Sequence, residues 1–167
     1  MTVIPWHEIF LRLAAALLAG GAIGFERERD SQPAGLRTHM ILALGAALVM
    51  ILSINIAIEF QGQDAEPTRL AAQVVSGIGF LGAGAILRFG FNVKGLTTAS
   101  TLWTTAMVGM AIGYGYYLVS FFAVVIMLVV LTLVERFEKK FVRVNIMRTV
   151  VIDVHDREGI LREVRKT

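Results

Sequence analysis

Apolar and polar positions alternate along this chain in long blocks rather than in short periods. Runs with few or no charges cover residues 9–25, 39–58, 70–87 and 95–134, divided by polar segments at 26–37, 61–67 and 88–94. Apolar runs of this length predict membrane-spanning helices. The last block holds 40 residues without a charge. As one helix rising about 1.5 Å per residue it would reach about 60 Å, about twice the hydrocarbon thickness of a bilayer. It is expected to break at Gly113-Tyr-Gly-Tyr-Tyr117, because glycine weakens a helix and tyrosine suits the membrane interface. The predicted fold is therefore an all-α polytopic membrane protein. Its five transmembrane helices are placed at about 9–25, 39–58, 70–87, 96–113 and 116–134.

After Val134 the pattern changes. From Val142 to Val154 the even positions are mostly β-branched, which predicts a strand. Asp156 then suits a helix N-cap, and Ile160, Leu161 and Val164 give the following segment an apolar face. One strand and one helix cannot bury a core. Residues 135–167 are thus expected to be a basic linker plus the first strand–helix unit of a partial α/β cytoplasmic fragment, after a membrane domain at 1–134.

Composition agrees with the membrane assignment. The chain is 56% hydrophobic and 17% charged, against about a quarter charged in soluble globular proteins. Cysteine is absent, which removes disulfide and thiolate metal chemistry. The start, Met-Thr-Val-Ile-Pro-Trp-His-Glu, lacks the basic n-region of a secretory signal. Up to Val134 the chain has seven Lys/Arg and seven Asp/Glu, and from Glu135 onward nine against six. The basic excess lies in the tail, where it suits anionic lipid better than nucleic acid. With five spans, Arg27, Arg29, Arg37, Arg88, Lys94 and the tail share one side, which predicts an external N-terminus and a cytoplasmic C-terminus.

The third run carries the most distinctive residues, Gly77, Gly79, Gly82 and Gly84 together with the polar Gln73 and Ser76. Gly77-x-Gly79-x-x-Gly82 lacks the preceding strand that a dinucleotide loop requires. Inside an apolar helix these glycines instead predict close helix packing, as do Gly20-x-x-x-Gly24 and Gly109-x-x-x-Gly113. The latter two pairs suit interfaces within or between chains, so a homo-oligomer is one expectation. Gln73 and Ser76 are expected to face Thr97, Thr98, Ser100, Thr101, Thr104, Thr105 and Trp103 of the fourth helix across a polar seam. That seam would serve packing, or line a pathway. No Asp or Glu lies in the second, third or fourth run, which argues against a dedicated magnesium carrier, since magnesium prefers carboxylate oxygens. No catalytic triad or zinc-spaced cluster is present, so neither enzymatic activity nor a cofactor or metal is expected.

Four motifs occur in order: Gly24-Phe-Glu26-Arg27-Glu28, Ala34-Gly-Leu-Arg37-Thr38, Gln73-Val-Val-Ser-Gly-Ile-Gly-Phe-Leu-Gly-Ala-Gly84 and Gly95-Leu-Thr-Thr-Ala-Ser-Thr-Leu-Trp103. Together they resemble the MgtC/SapB family of bacterial inner-membrane proteins over roughly residues 8 to 134. Val151-Ile-Asp-Val-His-Asp-Arg-Glu-Gly159 is similar to the opening of an ACT-like module. The resemblance implies a role in low-magnesium adaptation and, in pathogens, virulence through survival inside macrophages. It also implies regulation of membrane energetics through partners such as the F-type ATP synthase. A cation or small-solute transporter using the seam between the third and fourth helices is the alternative, and a ligand-free scaffold a third reading. Glu26 and Arg37 are expected to pair across the first loop, with a solvated charged turn as the alternative. Arg27, Thr38, Asn92 and Lys94 join them as candidates for a cytoplasmic contact face. His39 is read as an interfacial hydrogen-bonding anchor.

Overall fold

The computed structural model describes residues 4–59, 68–89, 92–134 and 136–137. These contain α1 (Trp6–Arg29), α2 (Leu36–Glu59), α3 (Arg69–Ala85), α4 (Leu96–Tyr114) and α5 (Tyr117–Val129), with α5 continuing as a π-helical segment, Val130–Val134. The strand–helix unit expected within 142–167 lies outside the described residues. Three segments among those described are long and apolar enough to cross a bilayer: Trp6–Arg29, Leu36–Glu59 and Tyr117–Val134. Helix α3 has only 17 residues, and the first half of α4 carries six hydroxyl side chains that lower its hydropathy. The polar seam residues are thus the same ones that make the third and fourth helices less apolar than their neighbours.

Helix α2 is the centre of the bundle. On one side, a Cβ at Gly20 would collide with the His39 carbonyl, and one at Gly24 would lie 2.7 Å from Leu36 Cα. On the other side, a Cβ at Gly109 would collide with the Ala43 carbonyl, and one at Gly113 would stand 2.5 Å from that of Ala47. Both Gly-x-x-x-Gly pairs therefore act within the chain, clamping α2 between α1 and α4. Ala16, Ala43, Ala47, Val108 and Ile112 form the buried core of this contact. Small residues four apart make such approach attainable, since positions i and i+4 share a helix face.

The glycines of α3 behave differently from expectation. Gly77, Gly79 and Gly84 have no atom within 4 Å of where a Cβ would stand, and Gly82 meets only the Ala99 methyl at 3.7 Å. Instead α3 packs through Ile78, which is buried with Ala46 of α2 and Ala106 of α4, supported by Val74. The sequence could not distinguish these faces, because glycines at 77, 79, 82 and 84 point in several directions around a helix with 3.6 residues per turn.

Local chemistry sets the turns. Glu28 Oε2 accepts the Leu36 N–H at 2.7 Å, giving α2 a carboxylate at its positive end. Gly35 leaves room for that carboxylate, as a Cβ there would lie 2.8 Å from Oε2. The segment expected to be a loop at 88–95 contains two short antiparallel strands, β1 (Leu87–Phe89) and β2 (Asn92–Lys94), with Arg88 opposite Val93. Their pairing satisfies backbone groups that three-residue strands otherwise expose. Gly95 then enters α4 at φ 90°, where a Cβ would strike the Ala85 carbonyl.

The 40-residue apolar run breaks at Gly115, with φ 104°. Its N–H bonds to the Ile112 carbonyl at 2.9 Å and the Tyr116 N–H to that of Ala111 at 2.8 Å, which is the Schellman arrangement of a helix C-terminus. Helix α5 returns along the bundle, where Met127 and Leu131 bury against Ile23 of α1.

The two glycine classes predict opposite responses. Gly109→Ala forces α2 and α4 apart and costs about 1–3 kcal/mol. Gly77→Ala enters open space and gains up to about 1 kcal/mol of helix propensity. Thermal melts of the two purified variants, compared with the parent, check both signs.

Candidate functional site

The up-and-down course of the helices gives the bundle two ends with different chemistry. At the first, Arg12 of α1 bonds Glu8 Oε1 through Nε at 3.0 Å and the Gly113 carbonyl through Nη1 at 2.8 Å. Tyr117 donates its hydroxyl to the same Glu8 oxygen at 2.7 Å. The guanidinium thus occupies the C-terminal end of α4, where orphan carbonyls and the negative end of the dipole favour a cation. The pairing of Glu8 with Arg12 follows from i, i+4 spacing. The participation of Tyr117, 109 residues away, had no sequence signal.

At the second end, Glu26 and Arg27 lie in the last turn of α1 and both are buried, at 7% and 3% exposure. Arg27 Nη1 stands 3.6 Å from Glu26 Oε2. His39 is fully buried, its Nδ1–H donating to the Gly35 carbonyl at 2.9 Å, and it lies within electrostatic reach of Arg27. Its Nε2 makes no hydrogen bond among the described residues. Arg37 and Thr38 are exposed, whereas Glu26 is buried and pairs with its neighbour Arg27. Helical geometry explains this: Arg37 sits on the outer face of the first turn of α2, whereas His39, two positions on, points inward. His39 is accordingly a core residue, not an interfacial anchor.

The hydroxyls of α4 divide into two sets. Thr98, Thr101 and Thr105 are buried on the stripe that continues to Gly109 and Gly113, and so belong to the α2 contact. Thr97, Ser100 and Thr104 lie on the side toward α5. Most of these protons stay on α4 itself: Ser100 donates to the Leu96 carbonyl at 3.0 Å, Thr101 to Thr98 at 2.8 Å, Thr104 to Ser100 at 2.9 Å and Thr105 to Thr101 at 2.7 Å. Between α4 and the α5–π segment lies a cavity of about 410 Å³. Thr97, Ser100, Thr101 and Thr104 form one wall and apolar side chains of α5 the other, and the accessible lining is overwhelmingly carbon. The polar residues of α4 therefore border α2 and α5, not α3, and the seam expected between α3 and α4 is replaced by the Ile78 contact.

Gln73 and Ser76 of α3 are exposed, as are Gly77 and Gly84 on the same outward face, spaced i, i+3, i+4 and i+11. Phe80, at i+7, is 83% exposed. Trp103 is 46% exposed and does not fill the glycine face of α3. Lys94 is exposed where β2 ends, and Asn92 is a β2 residue paired with Phe89. Among the described residues no cluster of three or more His, Asp and Glu side chains could hold a metal.

Comparison with known proteins bears on this arrangement. The MgtC family profile matches residues 13–140, from within α1 to beyond the last described residue. The chain belongs to the MgtC family. Protein MgtC of Brucella abortus is 53% identical over 103 residues, covering 62% of this chain and 41% of that relative. Protein MgtC of Salmonella typhimurium is 44% identical over 128 residues, or 77% of this chain and 52% of the relative. YhiD of Escherichia coli, named as a candidate magnesium transporter, is 46% identical over 129 residues, 74% of this chain and 59% of the relative. The chain spans about half the length of the curated relatives it matches. No solved structure matches it. Family membership and the apolar helices together make this a membrane protein.

The Glu8–Arg12–Tyr117 cluster predicts coupled stability. Arg12→Gln lowers the melting temperature more than Tyr117→Phe, since it frees both Glu8 and the Gly113 carbonyl. The double variant falls by less than the sum of the two, because both act on one carboxylate. A double-mutant cycle by thermal melting measures this.

Proposed function

We propose that the protein is a five-span bacterial inner-membrane regulator of magnesium homeostasis, acting by docking another membrane protein against the outward face of α3. The observation that carries this reading is that face itself. Gln73 and Ser76 stand among Gly77, Phe80 and Gly84 with their side chains outward and the glycine backbones open. In hydrocarbon no water serves a glutamine amide, so a partner helix is the natural source of its hydrogen bonds. Gly77 and Gly84 let that helix approach to backbone distance, and Phe80 between them supplies an apolar knob.

The magnesium connection rests on the relatives, among them the one named as a candidate magnesium transporter. Family resemblance names the F-type ATP synthase as the first partner to try. The charge distribution supports five spans with the C-terminus inside: Arg27, Arg29, Arg37, Arg88 and Lys94 fall at one end of the helices, with Arg12 and Arg69 toward the other. α3 and α4, whose length and hydroxyls make them weaker spans alone, are stabilised in the bilayer by packing on α2. A transport route is less well supported. Both the α3–α4 contact and the α4–α5 cavity are dominated by carbon, which does not suit a hydrated divalent cation.

In a strain lacking its own family member, the parent chain is expected to restore growth in low magnesium and to co-purify with its membrane partner. Gly77→Leu is expected to abolish both while leaving the melting temperature no lower than that of the parent, since the leucine enters open space and gains helix propensity. Unchanged partner capture and growth in Gly77→Leu would remove α3 as the docking face. Saturable, gradient-driven magnesium uptake by proteoliposomes of the purified chain would establish the transporter instead.

A further inference from the structure

The cavity between α4 and α5 is not part of the α3 face and has its own chemistry. Thr101, Met127 and Leu131 are buried at its base, whereas Ser100, Ile126 and Val130 are exposed at its rim, so it opens sideways from the bundle. Its volume of about 410 Å³ falls within the range of about 300–1,000 Å³ typical of ligand pockets. Ser100, Thr101 and Thr104 have already committed their protons to α4 carbonyls. Of the four hydroxyls in that wall, these three therefore need no acceptor from an occupant, and a hydrocarbon can lie against them without leaving their protons unpaired.

Charge identifies the rest of the ligand. Helices α4 and α5 are joined by the turn at Gly115, so the start of α4 and the end of the π-helical segment lie at the same end of the bundle. Lys94 precedes α4 by two residues and Arg136 follows the π-helical segment by two, and both side chains are exposed. In sequence, Glu135 and Glu138 are outweighed by Arg136, Lys139 and Lys140. A carbon-lined slot opening toward the bilayer, with cations at one end, has the polarity of a lipid: chain in the slot, phosphate at the cations.

We propose that the α4–α5 cavity binds one acyl chain of an anionic phospholipid whose headgroup is held by Lys94 and Arg136. The π-helical segment then acts as one wall of a lipid site, a role consistent with the frequent occurrence of π turns where helices meet ligands. The site is independent of the docking reading for α3, because its residues lie on α4, α5 and the two cationic flanks.

The test uses the full chain in nanodiscs with equal amounts of phosphatidylglycerol and phosphatidylcholine, released into a native mass spectrometer. The parent chain is expected to retain one phosphatidylglycerol. Thr104→Phe, which fills the slot from the α4 wall, is expected to lose it. Ile126→Trp fills the slot from the opposite rim and gives the same result if Thr104→Phe fails to fold. Lys94→Gln combined with Arg136→Gln is expected to keep a bound lipid but lose the preference for phosphatidylglycerol. The proposal is overturned if the parent retains no lipid or takes both lipids equally. It is also overturned if the filled variants retain as much lipid as the parent, meaning annular lipid only, or if the double variant keeps its preference.

Discussion

The bundle depends on how closely α2 can be approached from two sides. Gly20 and Gly24 bring α1 onto the backbone at Leu36 and His39, and Gly109 and Gly113 bring α4 onto Ala43 and Ala47. In lipid, apolar side chains gain nothing by leaving one hydrocarbon for another, so association rests on dispersion and close fit. A single Cβ at these sites would separate backbones that now touch. α3 and α5 are added to this three-helix unit through larger side chains, Ile78 on one side and Met127 with Leu131 on the other.

Polar groups at the helix ends are satisfied by neighbouring helices as much as by their own. Arg12 of α1 serves the C-terminal end of α4, and Glu28 of α1 serves the first N–H of α2. The Glu26–Arg27 pair beside His39 is a costlier arrangement, since a buried ion pair must offset the desolvation of both charges. Its place where α1 turns into α2 makes it a device for fixing that turn. Position and burial also keep it from acting as an open ion-binding site.

α3 is the helix whose two faces differ most in consequence. Its inner stripe, Val74 and Ile78, joins the core, while its outer stripe presents an amide, a hydroxyl and two bare glycines. That division is the basis of the docking face proposed for α3. On the other flank of α4, Ser100, Thr101 and Thr104 bond to carbonyls of their own helix beside a slot lined mostly by carbon. The two faces of α4 thus lead to different chemistry: tight packing toward α2, room for hydrocarbon toward α5.

Much of the fold is legible in the sequence because hydropathy and glycine are local signals. The apolar blocks place the five helices among the described residues, and Gly115 ends α4 where a 40-residue run outgrows a bilayer. Gly20, Gly24, Gly109 and Gly113 announce close packing by their spacing alone. Which glycines are used is not local. Those of α3 look more numerous, yet the rotation of α3 about its axis is fixed by Ile78 seating between α2 and α4, and that turns Gly77, Gly79 and Gly84 outward. Likewise, Tyr117 meeting Glu8 depends on packing between helices far apart in the chain. The sequence by itself determined which segments are helices and where they must stop, since both follow from composition over one span. Only the tertiary structure decided which face of each helix is spent on the core and which is left exposed, because a helix's rotation is fixed by its neighbours and not by its own residues.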